Sequence, residues 1–72
     1  MTKLNVAYSC NEVYIEHTGI SILSLLENNK EEFDLINIYF IGKNVTTSSI
    51  NKLKDITLVY NAKLIYLDFD VL

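Results

Sequence analysis

The chain is 72 residues long, half of them hydrophobic, with a formal net charge of −3. That length allows one domain, which buries only about 60% of the surface its unfolded chain exposes. The single cysteine excludes an internal disulfide and a Cys-based metal cluster, the lack of an apolar run near ~18 residues excludes a helical membrane span, and the acidic balance speaks against a nucleic-acid backbone as partner.

Leu4–Ser9 is short, β-prone and predicts a first strand. Cys10–Tyr14 follows as a connection, with Asn11 and Glu12 as turn material. The segment Ile15–Leu26 carries Ile15, Gly19, Ile22, Leu23 and Leu26 on one helical face, with Ile20 and Leu25 widening it. Ser21, Ser24 and Asn28 leave only a narrow polar stripe, the pattern of a helix covered on several sides. Asn28-Asn29-Lys30 reads as its end.

Ile36–Ile41 is nearly continuous apolar sequence and predicts a parallel strand buried on both faces. Gly42-Lys43-Asn44 breaks it, and Thr46 or Thr47 is placed to cap a second helix. Ile50, Leu53, Ile56 and then Val59 or Tyr60 recur at helical spacing, while Asn51, Lys52, Lys54 and Asp55 face water. Asn61 suits a left-handed C-terminal cap. Ala62–Leu67 predicts a third strand, and Asp68-Phe-Asp70 follows it.

The order β-α-β-α-β predicts an α/β fold. It is half of a doubly wound, Rossmann-like parallel sheet with strand order 3-2-1. In a complete sheet of that type the first strand is interior, so here its outer edge and the greasy first helix would lack partners. The expectation is a single partial nucleotide-binding domain over residues 1–72, an N-terminal piece of something larger. It would form a homo-oligomer through the first strand or first helix. The start of the chain lacks the charged and apolar stretches of a secretory signal, which leads us to expect a cytoplasmic location.

Val6-Ala-Tyr-Ser-Cys-Asn-Glu-Val-Tyr14 followed by Thr18-Gly-Ile-Ser-Ile-Leu-Ser-Leu-Leu-Glu-Asn-Asn29 resembles the N-terminus of family 8 glycosyltransferases. Ile38-Tyr-Phe-Ile41, the helix start at Val45-Thr46 and Ile65-Tyr-Leu-Asp-Phe-Asp70 resemble the family's second strand, second helix and third strand. The resemblance covers essentially the whole chain and implies the N-terminal half of a GT-A fold. It implies a retaining hexosyltransferase that uses a UDP-sugar donor with Mn²⁺ or Mg²⁺. The 72-residue chain alone would be inactive, with acceptor site, catalytic groups and metal ligands downstream.

The resemblance also implies a uridine half-site formed by Ser9, Cys10, Asn11 and Tyr14, at the carboxyl end of the first strand where open α/β sheets bind ligands. Asn11 stands where the family commonly has Asp, Val13 where it has Asn, and Gly42 where an acidic residue often follows the second strand. Asp68-Phe-Asp70 spells a D-x-D pattern. In an extended chain those carboxylates would point the same way and suit a hard cation. The plainer reading is a solvated strand end, because the family's own metal motif lies further on.

His17, the only histidine, reads as a structural residue in the first turn of a helix, and Cys10 as a small packing residue. Asn44-Val-Thr46 matches a glycosylation sequon, incidental without a secretory signal. Tyr8, Tyr39, Tyr60 and Tyr66 read as packing residues. A different class of function stays open, a βαβαβ module without ligand that docks to a partner or to itself. A flavodoxin- or receiver-like fragment fits the topology but lacks the phosphate loop of one and the early acidic pair of the other.

Overall fold

A computed structural model describes residues 2–71. Strand β1 spans Lys3–Asn11, a 3-10 turn Glu12–Tyr14, helix α1 Ile15–Asn29, strand β2 Leu35–Lys43, helix α2 Thr47–Leu58 and strand β3 Ala62–Asp68, followed by a 3-10 turn Phe69–Val71. The three strands form one parallel sheet with neighbours in the order β1-β2-β3. Connections of this length cannot make hairpins, and a helix in each crossover lets the next strand start at the same end.

Both helices lie on one face of the sheet, because the core joins them to alternate strand positions. Ile15, Ile22 and Leu26 of α1 and Leu53 of α2 pack with Ile36, Ile38 and Phe40 of β2 and Leu64 of β3. Leu4, Tyr8 and Cys10 of β1 add a half-buried margin. Phe40 is fully buried and meets Tyr66 at a ring distance of 5.9 Å.

Strand β2 departs from the expectation of burial on both faces. Ile36, Ile38, Phe40 and Gly42 are buried, whereas Leu35, Asn37 and Ile41 are only half-buried and Tyr39 is 37% exposed. The reason is that no helix among the described residues covers the second face, where only Phe69 of the last turn reaches Ile41 and Lys43. The same single layer explains α1, where Ile20 is 67% exposed and Leu23 also faces outward. Thr18, absent from the expected apolar face, is buried instead.

Thr46 is the residue that caps α2, its hydroxyl accepting the Ser49 backbone N–H at 3.1 Å. At the far end of α2, Tyr60 is half-buried and Val59 is exposed. Asn61 does not take the left-handed conformation expected of it. Among the described non-glycine residues only Asn44 does, at φ 55°. Asn61 instead donates its side-chain amide to the Asp34 carbonyl, and its own carbonyl accepts from Ile36, which ties the start of β3 to β2. Asn44 provides the turn after β2, a role that Asn tolerates better than most residues.

Gly42 lies inside β2 rather than in a break after it. An added Cβ would sit 2.8 Å from Tyr66 and 2.9 Å from Val45, so the position is reserved for a side chain of no size.

Candidate functional site

The carboxyl end of β1 and the first turns of α1 border an open, shallow depression of about 550 Å³. Tyr8, Ser9, Cys10, Asn11, Tyr14, His17, Thr18 and Ser21 line it. Every lining side chain carries a hydroxyl, amide, thiol or imidazole, and none is a carboxylate or a lysine. Such a lining offers hydrogen bonds and aromatic surface to a polar ring and offers no fixed charge for a phosphate.

The strand pleat sets the direction of each group. Tyr8 and Cys10 face α1 and are half-buried, while Ser9 and Asn11 alternate toward the other face and are exposed. Tyr8 spans the cleft floor, its hydroxyl 3.2 Å from the Ser21 hydroxyl. Cys10 packs against the core, as the plainer sequence reading has it. Ser9, Cys10 and Asn11 are also one wall of a smaller cleft of about 230 Å³ on the bare face, with Ile41, Lys43 and Phe69. There the Lys43 ammonium lies 5.2 Å from the Phe69 ring centre.

Asn11 ends the strand and starts the 3-10 turn. Its Oδ1 accepts the Val13 backbone N–H at 3.2 Å, so one lone pair is engaged and one remains, beside a free amide. Val13 is 79% exposed and points away from any packing. Tyr14 is 56% exposed and meets His17 edge-to-face at a ring distance of 6.2 Å. The sequence-predicted Ser9, Cys10, Asn11 and Tyr14 all border this depression, Ser9 and Asn11 from strand positions that face the other side of the sheet, where they also border the smaller cleft. Tyr8, His17, Thr18 and Ser21 complete the depression and were missed, although His17, Thr18 and Ser21 follow Tyr14 at the three-to-four spacing that would have shown them on one side of α1.

Glu12 does more than supply turn material. Its Oε1 accepts the Thr46 backbone N–H at 2.9 Å and its Oε2 accepts the Ser49 hydroxyl at 2.6 Å. The carboxylate sits at the start of α2, where unpaired amide groups favour an anion. The Ser49 hydrogen bond first, and then the Thr46 amide, hold its carboxyl below the usual carboxylate range. Through this residue the loop that borders the cleft is fastened to α2.

Asp68 and Asp70 do not form the extended pair that the D-x-D reading requires. Asp68 is the last residue of β3, and the chain then coils into the 3-10 turn. The Asp68 carboxylate accepts the Asp70 backbone N–H at 2.9 Å. Among the described residues no three His, Cys, Asp or Glu side chains gather as a metal site. A hard divalent cation takes six or more oxygens, several of them commonly carboxylate, and this pair by itself does not fit one. Among those residues, too, no helix is long and apolar enough to cross a membrane.

No protein-family model, no curated protein and no solved structure significantly matches the chain.

Proposed function

We propose that the cleft binds the uridine moiety of a UDP-hexose, and that the chain is the N-terminal donor-binding segment of a retaining family 8 glycosyltransferase. One observation supports this most. Each residue that lines the depression beside β1 bears a polar group on an otherwise largely apolar surface, and none is a carboxylate or lysine, which suits a neutral base and ribose. The parallel β-α-β-α-β order, with the cleft at a strand's carboxyl end, supports a Rossmann-like half-sheet of GT-A type. In this reading the free lone pair of Asn11 accepts the uracil imide N–H, and the Asn11 amide donates to a ring carbonyl. Tyr14 lies against the ring, and the Ser9 backbone meets the ribose.

The full-length parent would transfer the hexose with retention, and Mn²⁺ or Mg²⁺, which Asp68 and Asp70 alone do not hold, would there supply charge neutralisation. The chain's own residues would supply only nucleoside binding, and the chain alone would not turn over. The test is an NMR amide titration with UDP, with and without Mn²⁺. Ser9 to Tyr14 should shift with UDP whether or not metal is present, and Tyr14→Ala should weaken the response. Unmoved amides in that loop would overturn the reading.

A second reading rests on a different observation, the place of β1 at the sheet edge with strand partners on one side only. In that reading the chain is a docking module that self-associates through β1 or α1. Light scattering decides it: a mass of twice 8.3 kDa supports the module, and a monomer counts against it.

A further inference from the structure

The bare face of the sheet is charged differently from the rest of the molecule. The strand pleat brings Lys3, Lys43 and Lys63 to that face, at positions that alternate with the core residues and are exposed. These are three of the six lysines of the chain, and the strand positions of that face hold none of its nine carboxylates. Between the lysines lies an apolar band. Ala7 of β1, Tyr39 of β2 and Ile65 of β3 are register partners across the sheet, and Ile41 pairs with Leu67 one step further on. Lys63 pairs with Asn37 at one end of the band, and Lys43 stands at the other.

We propose that this face is a docking site for an amphipathic helix that carries apolar residues at its centre and carboxylates at both ends. Parallel sheets are built with helices over both faces, and here only one face is covered. The charge pattern selects the occupant. Two bare faces brought together would oppose lysine to lysine with no carboxylate between them, which disfavours a face-to-face pair of copies. A helix with acidic ends meets a cation at each end and apolar side chains between. The span from Asn37, beside Lys63, to Lys43 is six residues of β2, roughly 20 Å at the rise of a strand. A helix covers that distance in about 13 residues.

Two synthetic helices of about 14 residues probe the site. Both carry leucines along one face. One bears glutamates at its ends and the other lysines. The glutamate peptide should bind roughly tenfold more tightly at low salt, a margin that shrinks as salt screens the exposed pairs. Its binding should move the amides of Tyr39, Ile41, Ile65 and Leu67. The triple variant K3E/K43E/K63E should reverse the preference. Equal affinity for the two peptides, binding of neither, or amide shifts confined to α1 and α2 would overturn the proposal. So would dimers of the free chain that protect Tyr39 from solvent.

Discussion

The two glycines make opposite predictions from one substitution. At Gly42, an alanine Cβ would lie 2.8 Å from the Tyr66 ring, 2.9 Å from Val45 and 3.3 Å from the Phe40 ring. The first two separations fall about half an ångström short of ordinary van der Waals contact. Tyr66 cannot retreat freely, because it leans on buried Phe40. Overpacking of this kind costs about 1–3 kcal/mol, offset by about 0.4–1 kcal/mol from the stiffer unfolded chain.

The net loss for Gly42→Ala is therefore about 1.3 kcal/mol at the middle of these ranges and up to about 2.6 kcal/mol, a sizeable part of the roughly 4–10 kcal/mol expected for a chain this long. At about 4–8 °C per kcal/mol, Tm should fall by roughly 5–15 °C. At Gly19, in the middle of α1, the same Cβ would rest 3.5 Å from Leu53 and 3.6 Å from Ile56, ordinary contacts that fill space. Gly19→Ala should gain about 0.5–1 kcal/mol from helix propensity. Thermal and urea unfolding of the two variants followed by circular dichroism measures both signs. If Gly42→Ala is neutral, or both variants move the same way, the close packing of β2 against Tyr66 is not as described.

Acid should loosen the molecule through Glu12 and Glu27. The first is held below the usual carboxylate range chiefly by Ser49, the second chiefly by the Tyr60 hydroxyl and then by Lys30. A depressed folded-state pKa adds stability that is complete above the ordinary carboxylate range and is lost as pH falls through the lower folded value. Urea midpoints of Glu12→Gln and Glu27→Gln should thus depend less on pH in that acidic window than those of the parent chain, and equal slopes would refute the assignment. Thr46→Ala removes the acceptor at the start of α2 and should cost about 1 kcal/mol in urea unfolding. Thr46→Ser, which keeps the hydroxyl, should restore most of it.

Much of the fold was legible because the periodicity is unambiguous. Ile36, Ile38 and Phe40 at alternate positions, and Ile15, Ile22 and Leu26 at helical spacing, name the core that forms. Hydrophobicity could not say how many layers would cover it. The continuous apolar run of β2 looks the same whether its second face is filled or bare, so Tyr39 and Ile41 were read as buried. Apolar residues on α1 misled in the same way, since Ile20 and Leu23 have nothing above them. Of the site, the loop residues were legible from their position after β1. The helix side of the cleft was less so, because His17, Thr18 and Ser21 are ordinary residues until β1 stands beside them. Glu12 was illegible for a plainer reason, since its partners are 34 and 37 residues away.

The register of the sheet has a consequence for how the chain is made. Lys3 pairs with Leu35, and Ile36 with Ala62, so no strand of this sheet meets its neighbour until a whole crossover has been synthesised. A nascent chain shorter than about half its length has no ladder to close, only a helix of marginal stability alone. The rim of the cleft waits longer still, because Thr46 and Ser49 must emerge before Glu12 is fastened. Stalled or prematurely terminated chains that end before α2 would leave the ribosome with β1 and α1 made and the loop between them unanchored, open to proteases at the place where the finished molecule is tied down.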